Sequence, residues 1–386
     1  MVIDEIEELI EHQKVFMEVV SDIRSESIFT FPILTYSLLY KDGKFVDEDF
    51  ARWCSDHNTV WNDSNFFISG DVTTLSNCCR LLSDTSKLSA FINSIGGTAL
   101  SIGSVKVNTI NLMRIAYESH GDIDEFLRIL ESRVRLCCKI LDVQRHIIQR
   151  NIEKGFLPNY CDGGMEMSKQ YSTCGILGLF EVVEFFGLTK TDEFGYISYT
   201  DDGIDLSSKA FEIINRIKDS FTDEYSFNVE SVPAERAAVI LCQKDNLIYG
   251  KSDKFIYSNQ WIPLSAKCTI AEKLRLSSIL DVKCSGGAIA HINLESNFPN
   301  TDVAWDMLNR IAQSGVMYFA FNTRINECEN HHGFVRTDIC PTCGEGVSDT
   351  YQRIVGYLVP SRAYSKDRFR EFTTRRWYEY SEMLRE

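Results

Sequence analysis

Apolar residues recur at helical spacing over the opening of the chain. Ile3, Ile6, Leu9, Ile10 and Val15 stand among acids, which predicts an amphipathic helix over residues 1–28. The pattern then becomes a continuous apolar run, Thr30-Phe-Pro-Ile-Leu-Thr-Tyr-Ser-Leu-Leu39, which reads as a buried strand. A helix feeding a buried strand is the grammar of an α/β chain. The longest helical signal runs from about Asp122 to Lys154. Phe126, Leu127, Leu130, Val134, Leu141, Ile147 and Ile148 share one side, and Gly155 supplies a stop. Cys137 and Cys138 fall inside it and read as small core residues. Later apolar runs at 237–242, 287–294 and 315–322 alternate with helical text near 270–280 and 302–312, which predicts buried parallel strands. After Asn322 the text turns short, polar and rich in Cys and His. That change places a boundary near residue 325, between an α/β body over 29–325 and a small module over 326–386.

Composition narrows what such a chain does. The formal charge of -15 opposes wrapping a nucleic-acid polymer, whose binding needs a positive field, whereas small anions can still be held by helix N-termini and glycine turns. No apolar run reaches the roughly 18 residues of a membrane span, and Met1-Val-Ile-Asp-Glu-Ile-Glu-Glu8 has no basic start or apolar stretch of a signal peptide. A cytoplasmic location without membrane contact is expected. Thirteen cysteines, an odd number with two adjacent pairs (Cys78-Cys79 and Cys137-Cys138), suit reduced thiols better than a disulfide framework.

The sharpest chemical signal is Cys328-Glu-Asn-His331-His332-Gly333 followed by Cys340-Pro-Thr-Cys343-Gly344. A two-residue gap lets both ligands of a pair reach one ion, and a soft Cys/His set selects tetrahedral zinc. The ligands are Cys328, His331, Cys340 and Cys343, with His332 able to replace His331. Four protein ligands leave no open position for water, so the site is structural. The segment it would pin leads into Arg353-Ile-Val-Gly-Tyr-Leu-Val-Pro360, where Gly356 interrupts residues that favour extended, half-buried backbone.

This C-terminal text, with Lys366, Arg370, Arg375 and Arg376 behind it, resembles the end of anaerobic (class III) ribonucleoside-triphosphate reductases, members of the glycyl radical enzymes. So do Thr30-Phe-Pro-Ile-Leu-Thr35, Cys78-Cys-Arg-Leu81, Gly103-Ser-Val-Lys-Val-Asn-Thr-Ile-Asn-Leu-Met-Arg-Ile-Ala116, Tyr171-Ser-Thr-Cys-Gly175, Val232-Pro-Ala-Glu235, Ser258-Asn-Gln-Trp-Ile-Pro263 and Gly286-Gly-Ala-Ile-Ala-His291, in the family's order. The resemblance implies the C-terminal portion of a ten-stranded α/β barrel, with a finger loop around 78–80 and a glycyl-radical module over 326–386. It places a stored radical on Gly356, where a missing Cβ lets the centre become planar, and a thiyl radical on Cys79, with Cys78 as the alternative. That thiyl would remove the ribose 3′ hydrogen of a ribonucleoside triphosphate. Glu235 is the candidate for proton transfer, and Asn111, Arg114, Thr173, Gly175, Gly286 and Gly287 are candidates for holding substrate. Asn111 and Arg114 suit helix capping equally, and His291 suits a satisfied core histidine. The resemblance also implies a separate activating enzyme using S-adenosylmethionine and an iron–sulfur cluster.

The sequence departs from the family in three places. An N-terminal half is not visible, so a separate polypeptide carrying the other barrel half is expected. A histidine stands in the first ligand pair of the knuckle where a cysteine is usual. Ser104 stands where formate-using members carry asparagine, which favours a thioredoxin- or glutaredoxin-like dithiol over formate as reductant. The competing readings are a non-catalytic zinc-stabilised fragment and a glycyl radical enzyme acting on another substrate.

Overall fold

The computed structural model describes all residues except 1–2, 31–32, 71–73, 77–81, 85–102, 222–225, 232–233, 251, 354–357, 380–381 and 383–386. Among the described residues no helix is long and apolar enough to cross a membrane.

In chain order the first elements are α1 (Ile3–Glu26), β1 (Thr35–Lys41), β2 (Lys44–Phe45), α2 (Glu48–Asn58) and β3 (Asn65–Ser69). Next come β4 (Thr74–Ser76), β5 (Leu82–Asp84), β6 (Gly103–Asn111), α3 (Leu112–Glu118), α4 (Ile123–Glu153), α5 (Pro158–Cys161), β7 (Gln170–Leu177) and α6 (Leu179–Phe185). They are followed by β8 (Thr189–Thr191), β9 (Ile197–Tyr199), α7 (Asp201–Asp219), β10 (Phe227–Ser231), α8 (Glu235–Tyr249) and α9 (Ile270–Leu280). The chain finishes with β11 (Ala290–Asn293), α10 (Thr301–Ser314), β12 (Tyr318–Asn322), β13 (Ile325–Cys328), β14 (Gly333–Val335), β15 (Val347–Arg353), β16 (Leu358–Pro360) and α11 (Lys366–Thr373). Two compact units result: Met1–Asp71 with His291–Phe369 and Arg376–Glu386, and Val72–Ala290 with Arg370–Arg375. Residues on both sides of position 325 share the first unit.

The first unit holds a five-stranded mixed sheet of order β11-β12-β3-β1-β2. β1 and β3 are parallel, with Thr35 opposite Asn65 and Leu39 opposite Ser69. β1 returns into β2 through Asp42-Gly43, where φ of 51° and 79° gives the twist that a two-residue hairpin requires. The expectation of uniformly parallel strands fails here: β12 runs antiparallel to β3, with Phe319 opposite Phe66. Their rings stack at 5.3 Å, and burying each side chain stabilises by about 1.5–3 kcal/mol. A second sheet of order β14-β13-β15-β16 occupies the C-terminal module.

The second unit is built on three parallel strands of order β10-β7-β6. A parallel sheet needs cover, and α4 supplies much of it. Asp122 caps α4 by accepting from the Glu125 N–H, and Phe126, Leu130, Val134, Cys138 and Leu141 are buried along one stripe. Cys137 and Cys138 are both core: their sulfurs lie 3.8 and 3.7 Å from the buried Cys174 sulfur on β7. Thr200 caps α7 and Thr269 caps α9 in the same manner as Asp122. The run at 237–242, expected as a strand, lies within the helix α8. Six apolar residues do not by themselves distinguish a strand from one buried side of a helix.

Candidate functional site

Cys328 ends β13, and the chain reverses at once. The His331 N–H donates to the Cys328 carbonyl at 2.9 Å, and His331 takes φ of 65°. This left-handed residue decides which histidine faces inward. His331 is exposed, with Nδ1 3.6 Å from Glu327 Oε1, whereas His332 Nδ1 lies 3.6 Å from Cys328 Sγ and 3.7 Å from Cys340 Sγ. Cys343 Sγ is 3.6 Å from Cys328 Sγ. All four ligand atoms, from Cys328, His332, Cys340 and Cys343, lie within 4.8 Å of one another. His332, not His331, therefore completes the set. Gly344, at φ of 79°, closes the Cys340–Cys343 knuckle by donating to the Cys340 carbonyl at 2.9 Å.

The spacing fits a metal better than thiol hydrogen bonds or a disulfide. Tetrahedral zinc with its usual bond lengths has ligand edges of about 3.8 Å between sulfurs and about 3.6 Å between sulfur and nitrogen. The Cys343 thiol is drawn down to about 6, first by the Asn330 side chain and next by the Glu345 N–H, so it is a thiolate at neutral pH and ready to ligate. Cys328 and Cys340, with Phe334, form the small apolar core of this segment.

The same sheet carries the chain toward the glycine. β13 pairs with β15, and β15 with β16, with Arg353 opposite Leu358. Residues 354–357, Gly356 among them, lie outside the described residues. At the near end Arg353 is 2% exposed and donates through Nη1 to Asn65 Oδ1, while Asn65 Nδ2 donates to the Tyr318 hydroxyl at 2.8 Å. Burial pushes the Arg353 guanidinium down to about 10. Arg362 ties the far end back, meeting Glu327 Oε2 at 3.0 Å and Asp349 Oδ2 at 2.6 Å. Sequence reasoning missed Arg353, although a charged residue directly before the apolar run that begins at Ile354 was a visible signal.

In the second unit, β4 and β5 pair antiparallel, with Ser76 opposite Leu82. They frame residues 77–81, so Cys78 and Cys79 also lie outside the described residues. Asn111 caps α3 by accepting from the Arg114 N–H, and its Nδ2 donates to Asp245 Oδ2 at 2.7 Å. Arg114 Nε donates to the other Asp245 oxygen at 2.7 Å, and the Tyr257 hydroxyl joins at 2.9 Å. Their polar groups are thus engaged by capping and a buried carboxylate, the alternative that the sequence allowed. Gly286 and Gly287 correct an expectation: their N–H groups donate to the Val229 and Cys284 carbonyls and are not open to phosphate. Gly286 is held to close packing, since a Cβ there would sit 2.8 Å from the Val229 carbonyl oxygen, and Gly287 takes φ of 95°. Glu235 begins α8 after Ala234, which takes φ of 46°.

Thr173 and Gly175 lie on β7, opposite Asn228 and Glu230 of β10. Strand alternation sends Phe227 and Val229 into the apolar core and puts Asn228 and Glu230 on the other face with Thr173. The Thr173 hydroxyl meets the Ser104 hydroxyl at 2.6 Å. This polar face was missed at Asn228 and Glu230, although Phe227-Asn-Val-Glu-Ser231 alternates apolar and polar residues.

A family model of anaerobic ribonucleoside-triphosphate reductases matches residues 3–378. The chain belongs to this family. The anaerobic ribonucleotide reductase from Thermotoga maritima, solved in complex with dATP and CTP, is similar over 95% of this chain and 60% of its own, at 43% identity and a TM-score of 0.85. Another structure titled anaerobic ribonucleotide reductase reaches a TM-score of 0.88 over 97% of this chain and 60% of its own, at 43% identity. The anaerobic ribonucleoside-triphosphate reductase of Escherichia coli is 26% identical over 287 residues, 65% of this chain and 39% of that protein. The chain thus spans about three fifths of its structural relatives and less of this curated one. A glycyl radical enzyme from Archaeoglobus fulgidus, 12% identical with a TM-score of 0.51, shares the fold.

Proposed function

We propose that this chain carries the radical chemistry of anaerobic ribonucleotide reduction. It would work with the remaining length seen in its relatives, whether on the same or on a separate polypeptide. The observation that carries the reading is the closed four-ligand cluster of Cys328, His332, Cys340 and Cys343 on the sheet that leads to Gly356. Zinc fits this soft, tetrahedral set and would act structurally, holding β13 and β15 so that the 354–357 segment starts and ends at fixed points.

In this reading Gly356 loses its Cα hydrogen to a partner enzyme that uses S-adenosylmethionine and an iron–sulfur cluster. During turnover Gly356 takes a hydrogen atom from the Cys79 thiol, and the thiyl so formed takes the 3′ hydrogen of a ribonucleoside triphosphate. The 2′ hydroxyl, with a proton, leaves as water. The reductant, a dithiol protein in preference to formate, supplies two electrons and a proton, and the 3′ hydrogen returns from Cys79. Glu235 is the proposed group for the proton transfer. The setting is an anaerobic cytoplasm in a bacterium, encoded by the host or by a phage.

The test is anaerobic turnover of CTP by the activated, complete enzyme. Cys79→Ser abolishes 2′-deoxynucleotide formation, while Cys78→Ser retains it. Full activity in Cys79→Ser would overturn the thiyl assignment, and formate-dependent turnover without a dithiol would overturn the reductant.

A further inference from the structure

The side chain of Asn228 is 1% exposed, and both its Nδ2 and Oδ1 are buried without a hydrogen-bond partner among the described residues. Leaving buried polar groups unmade costs about 1–3 kcal/mol each, so native proteins seldom bury a whole amide this way. Asn228 differs from buried amides that make at least one bond: Asn65 bridges Arg353 and Tyr318, and Asn322 donates to Asn293 while only its Oδ1 lacks a partner among the described residues. Gly286 packs directly on the Asn228 amide, since a Cβ there would lie 2.9 Å from Asn228 Nδ2.

We infer that Asn228 recognises the ribose hydroxyls of the nucleotide, which supply the partners its amide lacks. The assignment rests on the reductase reading above. A carboxamide offers a donor and an acceptor side by side, the complement of a sugar hydroxyl that accepts from Nδ2 and donates to Oδ1. Its surroundings favour sugar over phosphate: Glu230 lies on the same face of β10, and Thr173 stands opposite in the β7 register with its hydroxyl on Ser104. A carboxylate attracts hydroxyl donors and repels an anion. Because the amide is sealed from water, ligand entry requires a local opening of that face, so binding is read at equilibrium.

The experiment measures CTP and 2′-deoxy-CTP binding to the complete, unactivated enzyme by calorimetry, together with the melting temperature of the ligand-free protein. Asn228→Leu keeps the shape and removes the hydrogen-bonding groups. It weakens CTP at least tenfold and 2′-deoxy-CTP less than threefold, without lowering the ligand-free melting temperature. Asn228→Asp, which keeps only acceptors, gives an intermediate loss. Unchanged CTP binding in Asn228→Leu overturns the assignment, as does an equal loss of both nucleotides accompanied by a lowered melting temperature. A wild type that binds neither nucleotide overturns the reductase reading and the assignment with it.

Discussion

Replacing His332 by Ala should release the metal and unfold the segment around it, whereas His331→Ala should do neither. The sixteen residues from Cys328 through Cys343 bury only Phe334 and two cysteines as an apolar core. Ordering them costs at least about 16 kcal/mol at ~1 kcal/mol per residue, and burying Phe334 returns about 1.5–3 kcal/mol. A structural zinc contributes about 10–16 kcal/mol at neutral pH, which closes the difference. The outer partners of a ligand are worth 10–100-fold in affinity, so losing a ligand itself should exceed 100-fold. Metal content after dialysis against a mild chelator, with hydrogen exchange over residues 328–343, measures both effects. Retention of one metal per chain in His332→Ala, or its loss in His331→Ala, would refute the geometry argued from the turn at His331.

Three further outcomes follow from the packing. Burial raises Glu181 from 4.5 to about 7, so its contribution is fully present below about pH 4.5 and falls away as pH rises to 7. Glu181→Gln should accordingly stabilise at pH 8 by about 3 kcal/mol and change little at pH 4.5, and a denaturant series showing equal effects at both pH values would contradict this. Gly333→Ala puts a Cβ 2.3 Å from the Arg24 carbonyl oxygen and should destabilise by at least about 1–3 kcal/mol in thermal unfolding; a neutral change would mean that α1 is not packed there. Asp245→Ala strands Asn111, Arg114 and Tyr257 and should cost about 3–5 kcal/mol, with Asp245→Asn recovering part of it.

The long helix was legible because its signals agree: Asp122 at the cap, a buried stripe from Phe126 to Leu141, and a stop at Gly155. The α9 helix was equally plain. The run at 237–242 was misread because its apolar text is shorter than the helix containing it, and local pattern carries no length. Strand direction was not legible either, since β12 meets β3 only through tertiary pairing. At the metal centre the spacing named Cys328, Cys340 and Cys343 and took His331 as the fourth ligand, with the adjacent His332 as its replacement, where the structure places His332. One backbone angle at His331 separates them, and side-chain identity does not encode that angle. Asn228 was overlooked for a related reason: a polar residue in a buried strand becomes informative only when its missing partners can be seen.

The central claim is that the sheet anchored by the metal ligands presents Gly356 as a radical store. Electron paramagnetic resonance of the complete enzyme, activated without oxygen by the proposed S-adenosylmethionine-dependent partner, tests it most directly. A doublet that disappears in Gly356→Ala, with oxygen then cutting about 30 residues from the C-terminus as residue numbering requires, is the predicted result. An activated protein with no doublet, or a doublet that persists in Gly356→Ala, would contradict it.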